Sequence, residues 1–181
     1  HRIVDQNDDG SIDALDRVIR GREEPAYNFG LMNEFTYKDF TFRFFINSIQ
    51  GGKNGYLGLN NPNFGQSDNA RRNNMFVDYD YWTPANPDAR YRGQDQVAGI
   101  EYNYYGDRSF VRLQDVTLAY KLNNSLVVDK LGLQGVKFFV SGKNLATWTS
   151  WEGWDPETGS GLEPSGLPVM KGYSLGLDVS F

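Results

Sequence analysis

Between Asp5 and Asp16 the sequence runs Asp-Gln-Asn-Asp-Asp-Gly-Ser-Ile-Asp-Ala-Leu-Asp. Oxygen-bearing side chains recur at alternate positions, Asp5, Asn7 and Asp9, and Gly10 follows where the chain must turn sharply. Ser11 offers its backbone carbonyl, Ile12 is the apolar residue turned inward, and Asp13 and Asp16 complete an oxygen shell. Hard oxygen ligands at this spacing suit a Ca²⁺ ion held in an EF-hand-like loop. Two features depart from that pattern. The closing ligand is ordinarily a bidentate Glu, where this chain has the shorter Asp16, and no entering helix is evident before Asp5. The competing reading of the same residues is a solvated acidic turn held by its own Asx hydrogen bonds.

Other candidate chemistry is thinner. Glu152, Asp155 and Glu157 stand beside Trp148, Trp151 and Trp154, which invites comparison with a glycosidase carboxylate pair next to sugar-stacking rings. Acidic residues this close together in a Pro- and Gly-punctuated stretch more simply form turns, and indole rings equally suit a membrane interface or a partner contact. The stretch from Tyr79 to Tyr91, punctuated by Pro84, Asn86 and Pro87, reads either as a saccharide-binding loop or as internal packing of a long folded connection. Cysteine is absent and His1 is the single histidine. A thiol nucleophile, a Ser-His-Asp triad and a two-His metal site therefore have almost nothing to be built from, and no enzymatic activity is expected.

The elements that must carry these residues show period 2, with almost nothing at period 3.6. In the segment Tyr27 to Tyr37, Tyr27, Phe29, Leu31, Phe35 and Tyr37 fall on one face, with Asn33 the polar exception there and Met32 the misfit opposite. After a turn at Lys38-Asp39, the segment Phe40 to Ile46 repeats the pattern with Phe40, Phe42, Phe44 and Ile46, which predicts a hairpin. From Phe110 to Leu122, the residues Val116, Leu118, Tyr120 and Leu122 share a face while Val111 and Leu113 have the opposite parity, so a bulge near Asp115 is required. A fourth strand is expected from Val136 to about Asn144. The fifth, Gly172 to Phe181, alternates most cleanly: Tyr173, Leu175, Leu177, Val179 and Phe181 oppose Gly172, Ser174, Gly176, Asp178 and Ser180.

These strands make an all-β chain, and the connections between them decide its class. They alternate long and short without exception: the N-terminal stretch, the Lys38-Asp39 turn, the long stretch Asn47 to Ser109, the shorter Asn123 to Gly135, and Leu145 to Lys171. Compact soluble domains rarely carry such long connections, whereas outer-membrane barrels have long loops outside and short turns on the periplasmic side. About five strands cannot close a barrel, which needs at least about eight, so the 181 residues read as the terminal part of a larger one. The start at His1, without Met or an apolar leader, reads as a mature product or a piece of a longer chain. A net charge of −5 speaks against a nucleic-acid partner. No apolar run approaches the roughly 18 residues of a spanning helix. That, with a mean hydropathy of −0.57, is not evidence of solubility, because every second barrel residue faces water.

Several motifs occur in a telling order. They are Asp5 to Asp13, the Tyr81-Trp82-Thr83-Pro84-x-Asn86-Pro87-x-Ala89 stretch, Ser109 to Leu118, Val140-Ser141-Gly142-Lys143-Asn144-Leu145, Gly153-Trp154-Asp155-Pro156-Glu157 and the aromatic C-terminus. Together they resemble the C-terminal end of SusC/RagA-type TonB-dependent outer-membrane transporters of Bacteroidetes. The resemblance covers nearly the whole chain and departs at His1 to Val4 and at Gly51 to Met75. It implies a barrel of about 22 strands closed by a plug, this chain supplying about the last five strands and neither the plug nor the TonB-binding segment. It further implies import of oligosaccharide or peptide, a SusD-like surface lipoprotein acting as a lid, and energy from the TonB complex.

On that topology the C-terminus is periplasmic, and the Asp5 to Asp16 loop, the 47–109 connection and the 145–171 connection are extracellular. Ca²⁺ bound by Asp5, Asn7, Asp9, Ser11, Asp13 and Asp16 is then expected to stiffen a loop near the lid. Phe181, with Tyr173, Leu175, Leu177 and Val179, resembles the signal read by the barrel-assembly machinery, and the same residues would face outer-membrane lipid. Arg43, Arg112, Lys121 and Lys143 are candidates to line the lumen, and the residues that bind cargo remain unassigned. The alternative from another class is a secreted, calcium-stabilised β-sandwich that binds carbohydrate, which would bury the Tyr173 to Phe181 apolar face against a second sheet.

Overall fold

The computed structural model describes residues 4–60, 80, 82–91, 104–122, 130, 132–159, 161 and 167–181. Seven strands are present there: β1 (Tyr27–Tyr37), β2 (Phe40–Gln50), β3 (Leu57–Leu59), β4 (Tyr105–Asp107), β5 (Phe110–Leu122), β6 (Gly135–Thr149) and β7 (Gly172–Ser180). Five of them form one antiparallel sheet in the order β1-β2-β5-β6-β7, and β3 pairs with β4 in a small sheet of its own. The expected strands are all present. The β3–β4 pair within the long connection is additional.

Each strand of the main sheet is at least nine residues long, which meets the roughly 9–11 residues a tilted strand needs to cross a bilayer. The register brings the apolar positions of all five strands onto one face. Phe35, Phe42, Leu118, Val140 and Leu175 follow one another across the sheet, as do Tyr37, Phe40, Tyr120, Phe138 and Leu177. Ring contacts tie this face together, with Phe40 and Tyr120 at 4.7 Å and Phe35 and Phe44 at 6.2 Å between centroids. The face stays open. Leu175 is 89% and Phe181 83% exposed, and no second sheet covers it among the described residues. The sandwich alternative is thereby corrected: a β-sandwich requires this face to be buried, and it is the exposed one.

The opposite face is polar, with rows such as Glu34, Arg43, Thr117, Ser141 and Ser174. Its glycines have a structural use the alternation alone does not reveal. The Phe139 ring lies over Gly176, so that a Cβ there would sit 2.1 Å from Phe139 Cζ, and the Phe45 ring lies over Gly30 in a looser version of the same arrangement.

The bulge falls where parity demands it. Phe45 pairs with Asp115 and Ile46 with Leu113, which leaves Gln114 as the extra residue on β5. On the other side Leu113 pairs with Ala146 and Asp115 with Lys143, placing Asn144 and Leu145 opposite Gln114, with Asn144 at a left-handed φ of +51°. Two boundaries are corrected, the first through this irregularity and the second through pairing that continues past the apolar series. β6 continues to Thr149 rather than ending near Asn144, because the alternation resumes with shifted parity. β2 continues to Gln50 rather than stopping at Ile46, because Asn47, Ser48 and Ile49 still pair with Arg112, Val111 and Phe110. The two long connections are correspondingly shorter, 51–109 and 150–171.

The β1–β2 turn at Lys38-Asp39 and the β5–β6 connection lie at one end of the sheet. The N-terminal stretch and both long connections lie at the other. Lys38 takes φ +52°, as a tight two-residue turn requires.

Candidate functional site

The Asp5 to Asp16 stretch folds into the tight loop its glycine implies, with Gly10 at φ +81° and Asp8 at +58°. Its oxygens are engaged by backbone amides. Gly10 N–H donates to Asp5 Oδ2 at 2.8 Å, Ser11 N–H to Asp9 Oδ1 at 2.8 Å, and Leu15 N–H to Asp13 Oδ1 at 2.7 Å. Asn7 accepts from the Asp9 amide through Oδ1 and donates to Asp9 Oδ2 through Nδ2. Asp16 accepts from Asp13 N–H at 2.8 Å and from Gln6 N–H at 2.6 Å, and these two amides hold its carboxyl below the usual carboxylate range. A 3₁₀ turn, Ala14–Asp16, is capped reciprocally by Asp13 and Asp16. Among the described residues no three acidic or histidine side chains converge to hold a metal ion. Among the described residues, Asp5 Oδ1 is the buried side-chain oxygen with no hydrogen-bond partner. As folded, the loop's carboxylates accept its own backbone amides in Asx-type turns.

The densest polar chemistry lies instead at the long-loop end of the sheet, on its polar side. Arg112 projects from β5 next to the bulge and is 3% exposed. Its guanidinium pairs with Asp155 at 2.8 Å and with Glu157, donates through Nε to Thr147 Oγ1 on β6 at 3.0 Å, and lies 4.8 Å from the Phe110 ring centroid. Its two terminal nitrogens each donate to a different carboxylate, and charge-assisted hydrogen bonds of this kind let arginine tolerate burial. Asp155 also caps its own turn, accepting from Glu157 N–H at 3.1 Å and Thr158 N–H at 3.2 Å. Burial pushes the Asp155 carboxyl up. The Arg112 guanidinium and the hydrogen bonds from Glu157 and Thr158 outweigh that, and the carboxyl ends below its ordinary range.

Further contacts tie the 51–109 connection to the same segment. Arg108 donates to the carbonyls of Pro156 (2.9 Å) and Glu157 (2.7 Å) and stacks 4.4 Å from the Tyr56 ring centroid. Glu152 accepts from Arg90 and from the Tyr91 hydroxyl, and its carbonyl accepts from Asn60 Nδ2. Burial, the hydrogen bond to Glu152 and the charge of Glu152 push the Tyr91 hydroxyl well up. The buried Trp151 ring packs on Gly58 and Gly106, one from each strand of the β3–β4 pair. Asp107 accepts from Tyr56 N–H at 3.0 Å and from the Ser109 amide and hydroxyl.

The structure thus assigns several residues singled out by sequence. Asp155 and Glu157 are ligands of Arg112. A carboxyl held low is the opposite of what a glycosidase general acid requires. Arg112 does lie on the polar face, yet it is covered by loop rather than open to solute. Arg43, Lys121 and Lys143 project from that same face. Trp148 stands 59% exposed at the end of β6 on the apolar face, level with Val111, whereas Trp151 is an internal packing residue. Within the Tyr79 to Tyr91 stretch, Asp80 accepts from Asn86 Nδ2 at 2.6 Å and Arg90 N–H at 3.0 Å, a self-supporting turn, while Tyr79 and Tyr81 fall outside the described residues. Most of the Asn123 to Gly135 connection, and 61–79, 81 and 92–103 of the long one, also lie outside them. Sequence reasoning did not identify Arg108, Arg90 or Asn60, whose partners lie about 50 to 90 residues away with no periodic signal to announce them.

No protein-family model matches the chain. Curated relatives do, over its whole length. It is 34% identical to TonB-dependent receptor P26 of Formosa agariphila over 98% of this chain, and 29% identical to receptor P3 of the same organism over 99%. By sequence, the chain belongs with the TonB-dependent receptors. The SusC receptor of Bacteroides thetaiotaomicron matches 99% of it at 25% identity, in line with the SusC/RagA resemblance of its motifs. The chain spans about a fifth of these relatives' length, 19% of P26 and P3 and 17% of SusC. In fold it matches the RagAB peptide importer in the 'closed-closed' state with a TM-score of 0.66 over 96% of this chain and 20% of that one, at 20% identity. The 'open-open' state gives 0.64 over 87% and 17%, at 22% identity. The five-stranded sheet is therefore a small section of a large barrel. TonB-dependent receptors are outer-membrane β-barrel proteins and not enzymes. The open apolar face of the sheet is the one suited to lipid, and the polar face looks into the barrel.

Proposed function

We propose that this chain forms part of the wall and mouth of a nutrient importer that carries oligosaccharide or peptide across the outer membrane. A SusD-like surface lipoprotein closes over its long connections, and the TonB complex acts on the transporter's plug. The observation that supports this most is the division of the sheet into one continuous open apolar face and one polar face, with all the long connections gathered at the same end. On this reading that end is extracellular and the C-terminus periplasmic. The exposed Tyr173, Leu175, Leu177, Val179 and Phe181 then serve both as lipid-facing residues and as the signal for the barrel-assembly machinery. The experiment is uptake of labelled oligosaccharide and peptide pools by cells carrying the full-length transporter, with the lipoprotein or the energy-coupling complex removed in turn. Loss of uptake of one pool in both deletions is expected. Uptake that survives removal of the energy-coupling complex overturns the proposal.

Ca²⁺ at Asp5, Asn7, Asp9, Ser11, Asp13 and Asp16 belongs to the same proposal as a structural ion. The ligand spacing and the shielded, unpartnered Asp5 Oδ1 support it, and binding requires the other carboxylates to turn from the amides they now accept from. Calorimetric titration of the purified transporter with Ca²⁺ should show heat that Asp5→Ala and Asp9→Ala abolish. Identical isotherms for wild type and variants remove the ion from the account.

A further inference from the structure

We propose that Arg112 is the keystone of a latch that makes 56–60, 82–91, 104–109 and 150–159 a single mechanical unit fixed to the polar face of the barrel wall. The proposal holds whatever the cargo or lid. Three sets of contacts converge on the ten residues from 150 to 159. The wall contributes Arg112, braced by Thr147 on the neighbouring strand and by the Phe110 ring, and grips Asp155 and Glu157. The strand-proximal part of the 51–109 connection contributes Arg108, which donates to the carbonyls of Pro156 and Glu157, and the β3–β4 pair, whose Gly58 and Gly106 seat Trp151. Its 82–91 portion reaches in through Arg90 and Tyr91 to the Glu152 carboxylate, with Asn60 on the Glu152 carbonyl.

The order of these contacts matters. Arg112 and Asp155 are both nearly fully buried, 3% and 5% exposed, so removing one partner strands an uncompensated buried charge and costs more than breaking any exposed contact of the set. Arg90 is 47% exposed at its side chain and its ion pair with Glu152 is partly screened by solvent. A segment gripped at Asp155 and Glu157 presents Trp151 and Glu152 to the other connection in fixed positions. Release of the grip at Asp155 removes the support for those contacts as well. Release at Glu152 leaves the grip at Asp155 in place. The contacts therefore open in order of their stability, the exposed one at Glu152 before the buried grip at Asp155, and opening of the grip includes opening of 56–60 and 82–91.

Native-state hydrogen exchange on the full-length transporter in detergent, comparing wild type with Asp155→Asn and Glu152→Gln, tests this directly. Asp155→Asn is expected to speed exchange about tenfold or more in 154–159, in 56–60 and in 82–91 together, while β1, β2 and the lower halves of β5 and β6 stay unchanged. Glu152→Gln is expected to speed exchange in 82–91 alone. If Asp155→Asn affects 154–159 only, the connections are independent and the proposal fails. No change anywhere overturns it equally. Should Asp155→Asn fail to give a folded barrel, Arg112→Lys keeps the charge and removes the planar fork. The proposal then requires all three segments to loosen together in that variant, and loosening of one alone refutes it.

Discussion

At the scale of single residues, the account turns on a buried arginine and on two phenylalanine–glycine contacts. Arg112→Ala leaves Asp155 buried without its cation, and an uncompensated buried charge of this kind costs about 3–5 kcal/mol. The expected result is opening of 150–159 to limited proteolysis, while the sheet stays intact by heat-modifiable gel mobility. The pH dependence has a definite sign. The folded Asp155 carboxyl lies below its ordinary value, so its contribution is fully present above the unfolded pKa of about 3.9 and is lost as pH falls through the lower folded value. Protease resistance of this segment should be flat from neutral pH down to about 4 and decline only below it; a midpoint near neutrality would contradict the assignment. Gly176→Val places a Cβ 2.1 Å from Phe139 Cζ, and the ring must leave. Such residue-level facts were partly legible. The Asp5 to Asp16 spacing and the Gly153 to Glu157 motif stood out in the sequence, but their roles did not, because a carboxylate's partner is set by tertiary contact and no local pattern encodes it.

At the scale of elements, period-2 alternation identified all five strands of the main sheet and the hairpin turn, since one face of each strand is predominantly apolar. It placed two strand ends short, because the apolar series of β2 turns polar at Ser48 and Gln50 and the parity of β6 shifts at the left-handed Asn144. It missed the β3–β4 pair because three residues are too few to show a period. The apolar face itself yields a prediction. Leu175→Arg on β7 puts a cation in lipid and should lower folding stability by about 2–4 kcal/mol, read from denaturant titration of barrel folding into lipid vesicles. Its neighbour Ser174→Arg, on the polar face, should change stability by much less. Equal costs for the two would mean that the faces are assigned wrongly.

At the scale of the whole molecule, the composition was misleading until the connections were considered. A mean hydropathy of −0.57 and no long apolar run describe a wall in which lipid-facing and lumen-facing residues alternate, not a soluble domain. The gathering of the long connections at one end gives that wall a direction. The direction is testable because the chain contains no cysteine of its own. In a full-length background without other cysteines, Lys53→Cys reports on the long-connection end and Asp39→Cys on the tight turn at the other end. A membrane-impermeant maleimide applied to intact cells should label Lys53→Cys at once and Asp39→Cys only after the outer membrane is permeabilised. The reverse pattern, or labelling of both in intact cells, would contradict a transmembrane wall with its long connections outside.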